Sequence, residues 1–423
     1  MGFVKNAAIV LLTCVFIAYM QNIFQPKLPL HMKGGSDSKF FRIGREFKTL
    51  IDNGMIGGAF AIYHHGKPVA DIWGGYADVE SRSKWQENTI TMVMSTTKAV
   101  GAVCIGMLVD RGQIDYDAPV SQYWPEFAQQ GKAEITVRML LNHEAGLHAL
   151  DEPVSLGDLR ENPNKVGKSL AAQKPSWEPG TKHGYHGFTH GMYLDQLIRH
   201  TDPKKRGVAE FFRDELSIPF GIDFFIGLPN AEVYRAARSY ESLLVGFYDA
   251  IVSGSWAMVR AMIKGLTDPE SSVARALNSV QGWQDIQVNN PDYRATPLSS
   301  ATGMGTARGL AKLFGIIANG GKFEGRTLVS EKVIKEFQNT SVTRIDEVLF
   351  HETTYAQGMI TRKNPQGQLV FGHHGHGGQY TYVDVHNNLA WTFITNDLKP
   401  YQPGRDHRHE TLVKAMYKSI GVE

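Results

Sequence analysis

Ser95 and Lys98 are well suited to covalent chemistry, because they stand three positions apart in the stretch STTKAVGAVCIGMLVDRG. At helical spacing their side chains share a face. The residues that follow are mostly apolar or small, which predicts a buried helix. Burial strips water from a lysine and lowers its pKa from about 10.4, so that the amine can take a serine's proton and make that oxygen nucleophilic. The alternative is that Ser95 only caps the helix and Lys98 extends to solvent.

A second chemistry-bearing stretch, FGHHGHGG at 371–378, holds three histidines within four positions. Strand-like sequence flanks it on both sides, which favours a strand over a flexible loop. On a strand, His373 and Gly375 point to one face of the sheet and His374 to the other. A catalytic zinc needs three converging ligands, and no HExxH or HxHxD pattern occurs. We therefore expect no metal and no organic cofactor.

Hydrophobic periodicity predicts the elements that position these residues. Gly58 to Asp78 alternates apolar and polar residues around a His-Gly-Lys turn, which indicates a hairpin. The Ser95 helix is expected to end at Asp110-Arg111-Gly112. Helical patterns then dominate to about residue 345, strand patterns follow, and a helix at His409 to Ser419 closes the chain. Strands at both ends with helices between them predict an α/β (α+β) fold, with one antiparallel sheet and an inserted helical lobe.

We expect residues 1–30 to form a hydrophobic leader and residues 31–423 to form one catalytic domain. The sheet lobe is predicted over 40–100 and 350–423, and the helical lobe over 101–349. Ala7 to Met20 carries no charge, which is typical of a signal peptide or a short membrane anchor. No clear small-x-small cleavage pair follows, so membrane association through residues 7–24 is expected, in a membrane-bound, secretory or extracellular location.

Composition excludes several functions. The 44 basic and 42 acidic residues are scattered without long runs, so nucleic acid is not an expected partner. The chain has two cysteines, Cys14 in the leader and Cys104, which excludes a disulfide framework and a CxxC site. With 42% hydrophobic residues the chain can build a substantial core.

Six segments in order resemble the serine β-lactamase superfamily, in the branch of class C β-lactamases, penicillin-binding proteins and serine esterases that includes animal β-lactamase-domain proteins. The segments are STTK (95–98), DAPVSQYWPEF (117–127), ITVRMLLNHEAGL (135–147), WEPGTKHGYHGFTHG (177–191), GMGTARGLAKLFGIIANGG (303–321) and FGHHGHGG (371–378). The resemblance covers roughly residues 40 to 420 and is weakest over 205–295. It implies a β-lactamase/transpeptidase-like fold.

The resemblance also implies roles for individual residues. Ser95 matches the nucleophile, Lys98 its lysine and Tyr185 the tyrosine that completes a proton relay. The positive charge of Lys98 is expected to favour the tyrosinate. In the third motif, His373 would reach the pocket and Gly375 would leave room for substrate. The backbone N–H groups of Ser95 and His376 would form the oxyanion hole. His186 would either orient Tyr185 or line the cleft.

Two departures from the lactamase pattern shape the expected substrate. Gly187 stands where lactamases carry Asn, and His373 stands where they carry Lys. Both changes weaken recognition of a β-lactam, so a small-molecule ester, or an amide, is the expected substrate. The alternatives are a penicillin-binding-type peptidase or amidase, and a non-catalytic anchored scaffold. The apolar stretches 211–229 and 242–256 either pack in the core or roof the cleft; the oligomeric state is left open.

Overall fold

Both ends of the chain meet in one antiparallel sheet. The computed structural model describes residues 28–282 and 288–422, together with Thr13. Within them a nine-stranded sheet runs in the order β1-β3-β2-β16-β15-β14-β13-β12, with β4 joined to β3. Its strands are β1 (Met32–Ser36), β2 (Gly57–His64), β3 (Lys67–Asp78), β4 (Ser83–Lys84), β12 (Tyr355–Ala356), β13 (Met359–Lys363), β14 (Leu369–Gly375), β15 (Gln379–Asp384) and β16 (Leu389–Thr395). The two chain ends join where β2 pairs with β16.

Shorter strands form three further small sheets. Their members are β5 (Thr91–Met92), β6 (Phe224–Ile226) and β7 (Gly303–Gly305) in one, β8 (Lys322–Phe323) and β9 (Arg326–Thr327) in the second, and β10 (Arg344–Ile345) and β11 (Glu352–Thr353) in the third.

Along the sequence, most α-helices of the described residues lie between β4 and β12 of the main sheet. They are α1 (Phe41–Asp52), α2 (Thr97–Asp110), α3 (Val137–Leu141), α4 (Leu156–Glu161), α5 (Pro163–Ala172), α6 (Thr189–Thr201), α7 (Val208–Phe212), α8 (Ile218–Phe220), α9 (Leu243–Val252), α10 (Trp256–Thr267), α11 (Ser272–Leu277), α12 (Pro291–Ala295), α13 (Ala307–Ala318), α14 (Glu331–Glu336) and α15 (His407–Ser419). Turns of 3₁₀ helix lie at Ser38–Phe40, Met94–Thr96, Val120–Gln122, Pro125–Ala128 and Asn230–Arg235, and a π-helical turn at Arg213–Ser217.

Helices cover both faces of the main sheet. α1 and α15 cover one face, over a core that includes Phe47, Phe393 and Leu412. α13 covers the other face, where it contacts β2 and β16, and α2 contacts β13 and β14 within the larger core. The predicted antiparallel sheet from both chain ends, flanked by helices and with a helical insertion, is therefore confirmed.

The structure differs from the predicted lobe boundaries at two places. α13 lies inside the predicted helical lobe but packs on the sheet. β1 pairs with β3, although it begins before the predicted sheet lobe. The predicted hairpin is β2–β3, and the closing helix begins at His407, two residues earlier than expected.

The predicted leader lies largely outside the described residues. This holds for the membrane segment predicted at 7–24, of which only Thr13 is described. No helix among the described residues has the length and apolar character needed to cross a bilayer.

β14 supports the turn that carries Ser95. The turn Met94–Thr96 leads into α2 and contacts both β14 and β15. A Cβ atom on Gly375 would lie 2.2 Å from the carbonyl oxygen of Val93 and 3.1 Å from the Cβ of Met94. We expected Gly375 to leave room for substrate, but the protein's own turn occupies that space. Gly375 is required because β14 and the Ser95 turn approach so closely.

We predict that Gly375→Ala lowers the free energy of unfolding by about 1–3 kcal/mol, because the added methyl must push the Ser95 turn away from β14. Denaturant unfolding measures this change. The control is Gly35→Ala in β1 of the same sheet, where an added Cβ meets nothing within 4 Å. Equal stability of the two variants would contradict the argument.

Candidate active site

Ser95 is the single point at which a long buried segment reaches solvent. From Thr89 to Leu108 every residue is buried except Ser95, which is half-buried. Met94 before it has a φ of 49°, in the left-handed region that non-glycine residues seldom adopt. Ser95 lies in the 3₁₀ turn one residue before the Thr96 N-cap of α2, so it does not itself cap the helix as the alternative had it. The backbone therefore presents this hydroxyl at the surface of the core.

Lys98 lies directly behind Ser95 and is completely buried. Its Nζ is 3.3 Å from Ser95 Oγ and donates hydrogen bonds to the carbonyl oxygens of Gly187, at 2.8 Å, and Ser300, at 2.9 Å. None of the ion pairs among the described residues involves Lys98. Burial without a counter-charge holds the pKa of Lys98 well below its ordinary value of 10.5.

Three oxygen atoms surround Lys98 Nζ. The carbonyl oxygens of Gly187 and Ser300 accept two of its hydrogens, and Nζ also donates to Ser95 Oγ. In the neutral amine a lone pair takes the place of the third hydrogen and faces Ser95 Oγ. This geometry lets the neutral amine accept the hydrogen of the Ser95 hydroxyl.

Tyr185 completes a group of three side chains. Lys98 Nζ lies 4.6 Å from the centre of the Tyr185 ring. Burial raises the pKa of Tyr185, a hydrogen bond with Ser95 opposes this, and the nearby carboxylate of Asp346 raises the pKa further. The phenol is therefore neutral at rest. We expected Lys98 to favour the tyrosinate; this is wrong, because burial raises the pKa of Tyr185 and lowers that of Lys98, and so disfavours both charged forms.

Asp346 fixes the backbone of Tyr185, a role that the sequence analysis did not predict. Its Oδ1 accepts hydrogen bonds from the backbone N–H groups of Tyr185 (3.0 Å), Val348 (2.8 Å) and Leu349 (2.9 Å). Its Oδ2 accepts one from the Tyr355 hydroxyl at 3.3 Å. The carboxylate is completely buried. Asp346 is therefore a positioning residue for Tyr185.

His186 is a buried structural residue. Its Nδ1–H donates to the Gly184 carbonyl at 2.6 Å, and its Nε2 accepts from the Leu147 N–H at 3.0 Å. Burial lowers its pKa to about 3. Because both ring nitrogens are engaged, no polar atom of the ring is left for substrate. The complete burial of His186 does not fit the predicted role of lining the cleft, and its bond to Gly184 holds the backbone next to Tyr185.

His143 supports the same loop and was also missed. Its Nδ1 accepts from the backbone N–H of His186 at 3.0 Å, and its ring centre lies 4.8 Å from that of Tyr185. His143 has a φ of 61°. It stands in the quoted segment ITVRMLLNHEAGL, so the signal was present, but no role was assigned to it.

His373 faces the site from β14. Its ring centre lies 6.3 Å from that of Tyr185, while the ring of the next residue, His374, lies 6.4 Å from Tyr380 on the opposite face. His373 Nδ1–H donates to the His374 carbonyl at 2.6 Å. Burial holds the pKa of His373 well below 6.5, and the neighbouring His374 and Lys98 lower it further. His373 is therefore neutral and offers no positive charge to a substrate carboxylate.

The predicted oxyanion donors lie on two segments in contact. Gly375, just before His376, packs on the turn that contains Ser95. Among the hydrogen bonds of the described residues, the backbone N–H groups of Ser95 and His376 donate to no protein acceptor. The His376 ring points away and bonds Glu241 at 2.5 Å. Both N–H groups are thus available to an oxyanion.

The histidines do not gather as metal ligands. Within residues 28–282 and 288–422, no three His, Cys, Asp or Glu side chains are placed to share an ion. His374 and His376, the pair with the right spacing, have separate partners in Tyr380 and Glu241.

Comparison with known proteins identifies the family. A family model described as Beta-lactamase matches residues 43–415. The chain belongs to the beta-lactamase family. This confirms the resemblance read from the six segments, and the chain is a serine hydrolase of the β-lactamase-related type.

Similar proteins include esterases. The chain is 31% identical over 370 residues to "Esterase/beta-lactamase LipL" of Mycobacterium tuberculosis, covering 86% of this chain and 83% of that protein. The structure resembles that of a family VIII carboxylesterase, with a TM-score of 0.80 and 30% identity over 92% of this chain and 99% of the other. A penicillin-binding protein homologue from Caulobacter crescentus has a TM-score of 0.77 and 28% identity, with the same coverage.

We predict that kcat/KM for an ester falls as the pH is lowered through the pKa of Lys98, because the ammonium form cannot take the proton of Ser95. Since burial lowers this pKa, the neutral form persists to lower pH than in an exposed lysine. The midpoint of the acid limb should therefore lie well below 10.5, as measured by initial rates across pH. His373→Gln serves as the control and should keep the same midpoint. If His373→Gln lost the acid limb of the pH profile, that limb would report the titration of His373 and not of Lys98.

Proposed function

We infer that this enzyme hydrolyses carboxylic esters of small molecules through an acyl-enzyme on Ser95, with Lys98 and Tyr185 as the proton relay. The observation that carries this proposal is the buried, unpaired amine of Lys98 beside Ser95 Oγ, with two carbonyl groups holding its hydrogens. The esterase names of the relative and of the carboxylesterase structure support it.

In the first half-reaction, Ser95 Oγ attacks the ester carbonyl carbon and its proton passes to Lys98 Nζ. The oxyanion accepts hydrogen bonds from the backbone N–H groups of Ser95 and His376. Tyr185, protonated at rest, donates its proton to the leaving alkoxide and regains one from the Lys98 ammonium. The products are an alcohol and an ester of Ser95.

In the second half-reaction, water attacks the carbonyl carbon of the acyl-enzyme. The neutral Lys98 amine, restored when the alcohol left, takes a proton from this water through Tyr185. The proton then returns to Ser95 Oγ as the carboxylic acid departs. Every group ends in its starting state, so the protein needs no other reactant than water.

Esters suit the site better than β-lactams. His373 is neutral where lactamases carry a lysine, and Gly187 contributes only its carbonyl, which Lys98 occupies. The site therefore lacks both the cation and the side-chain amide that the lactamase pattern places there.

We predict that a fluorophosphonate probe labels the wild-type enzyme, because the probe reacts with activated serines. Ser95→Ala should abolish labelling and lower ester turnover by about 10³-fold or more. Gel fluorescence and initial rates measure the two effects. Equal labelling of Ser95→Ala would point to another nucleophile, and no labelling of either protein would favour a non-catalytic scaffold. An ester and an amide with the same acyl group separate the esterase from the peptidase or amidase alternative.

We predict that Gly187→Asn raises turnover of a chromogenic cephalosporin by roughly 2- to 10-fold, because one added hydrogen bond contributes about 0.5–1.5 kcal/mol. An added Cβ at Gly187 meets nothing within 4 Å, so the side chain can be accommodated. Gly187→Ala fills the same space without an amide and should leave cephalosporin turnover unchanged. A gain in Gly187→Ala equal to that in Gly187→Asn would refute the assignment.

A further inference from the structure

A concentrated apolar surface lies on the two consecutive helices α9 (Leu243–Val252) and α10 (Trp256–Thr267). Fourteen large apolar side chains are exposed among the described residues, and half of them fall within 24 consecutive positions of these helices. These seven are Leu243, Leu244, Tyr248, Val252, Trp256, Ile263 and Leu266. Scattered exposed apolar residues are ordinary, but a contiguous group of them marks an interaction surface.

The spacing of these residues places them on the outer side of the helix pair, called here the apolar hairpin. Leu244, Tyr248 and Val252 recur every four residues along α9, which is one helix face. Val252 and Trp256 remain 67% and 63% exposed at the junction of the helices. The opposite sides face the protein, where Gly246 and Val259 are buried.

The charges of the apolar hairpin are already engaged. Asp249 pairs with Lys399 at 3.0 Å, and Lys264 pairs with Asp268 at 3.1 Å. The Arg260 guanidinium lies 4.4 Å from the centre of the Phe350 ring. The surface therefore offers apolar area with little unpaired charge, which suits an uncharged partner.

The apolar hairpin is connected to both sides of the active site. On one side, Glu241 just before α9 bonds the ring of His376, the residue whose backbone N–H is a predicted oxyanion donor. On the other side, Ser272 Oγ donates to the carbonyl of Glu347 at 2.8 Å, next to the Asp346 that holds Tyr185. The residues that flank the apolar hairpin in the chain, Glu241 and Ser272, thus contact neighbours of the active-site residues.

The continuous described chain begins near the residues that lead into the apolar hairpin. Pro29, near the start of the continuous described chain, accepts a hydrogen bond from the Tyr76 hydroxyl at 2.9 Å. The next residue of β3, Ala77, accepts from the N–H of Arg238 at 2.8 Å, and Tyr240 donates to Asp78 at 3.0 Å. The residues that precede the apolar hairpin therefore lie near the start of the continuous described chain. The sequence before that start contains the uncharged run from Ala7 to Met20.

We propose that the apolar hairpin docks on the surface of a lipid bilayer in which the leader is anchored, and that the ester substrates are lipid-borne. An uncharged apolar face beside a chain segment of membrane-anchor composition fits a bilayer surface. Docking there brings the cleft mouth to the lipid phase, so an ester with a long acyl chain reaches Ser95 without crossing water. The identity of the bond cleaved rests on the proposed function, whereas the docking does not.

The test compares two esters on the full-length protein. One is the water-soluble p-nitrophenyl acetate, and the other is p-nitrophenyl palmitate carried in phosphatidylcholine vesicles. The variant Leu244→Glu/Val252→Glu places two charges on the apolar hairpin. We expect its turnover of the palmitate to fall about tenfold or more, because apolar area and its lipid contact are lost. Its turnover of the acetate should be unchanged.

The matched control changes two exposed apolar residues elsewhere. Phe41 and Ile218 are 60% and 70% exposed and lie in α1 and α8. Phe41→Glu/Ile218→Glu adds the same charge and should hydrolyse both esters like the wild type.

A direct contact measurement uses Trp256. Vesicles of brominated phosphatidylcholine quench tryptophans that reach the acyl chains. We expect quenching of the wild type to exceed that of Trp256→Phe, by the contribution of this one side chain.

Unchanged palmitate turnover in the hairpin variant, together with equal quenching in Trp256→Phe, overturns the proposal. If the hairpin variant keeps its palmitate turnover but changes its oligomeric state, the surface binds a second copy of the chain. If it keeps that turnover but changes protease access to the leader, the surface binds the leader. Either result also overturns the proposal. If the wild type hydrolyses neither ester, the proposed function fails, while the quenching comparison still decides the docking.

Discussion

The buried amine of Lys98 is the constraint on which the site depends. A charged ammonium inside a core is unfavourable, and no carboxylate among the described residues pairs with Lys98 to compensate for it. Burial lowers the pKa of Lys98, and the carbonyl oxygens of Gly187 and Ser300 accept two of the hydrogens on Nζ. The third position on Nζ faces Ser95 Oγ. One arrangement of three segments distant in sequence therefore both makes the burial of Lys98 tolerable and places its amine where it can accept the proton of Ser95.

The rest of the architecture holds those three segments together. β14 presses Gly375 against the Ser95 turn, and α2 carries Lys98 through the core. Asp346 ties the loop of Tyr185 by accepting three backbone hydrogen bonds. Two of these supports are packing contacts, and the third is a carboxylate whose Oδ1 is bonded to backbone N–H groups. Burial remains the cause that lowers the pKa of Lys98.

The sequence predicted the elements better than the supports. Alternation gave the β2–β3 hairpin, the apolar run gave α2, and the ordered segments gave the family. The protonation state of Tyr185 was predicted wrongly, because it depends on burial that spacing does not show. Asp346 was missed because it acts on Tyr185 across 161 positions and belongs to no recognisable motif. Gly375 was noticed, but the atom it makes room for is the Val93 carbonyl, which only the packing reveals.

The central claim is that burial lowers the pKa of Lys98, so that its amine can serve as the base for Ser95. A side-chain NMR titration of isotope-labelled lysines, with Lys98→Arg to assign the resonance, measures its pKa directly. The account predicts a value well below the ordinary 10.5. A value at or above 10.5 would show that Lys98 carries a proton at neutral pH and would contradict its role as the acceptor for Ser95.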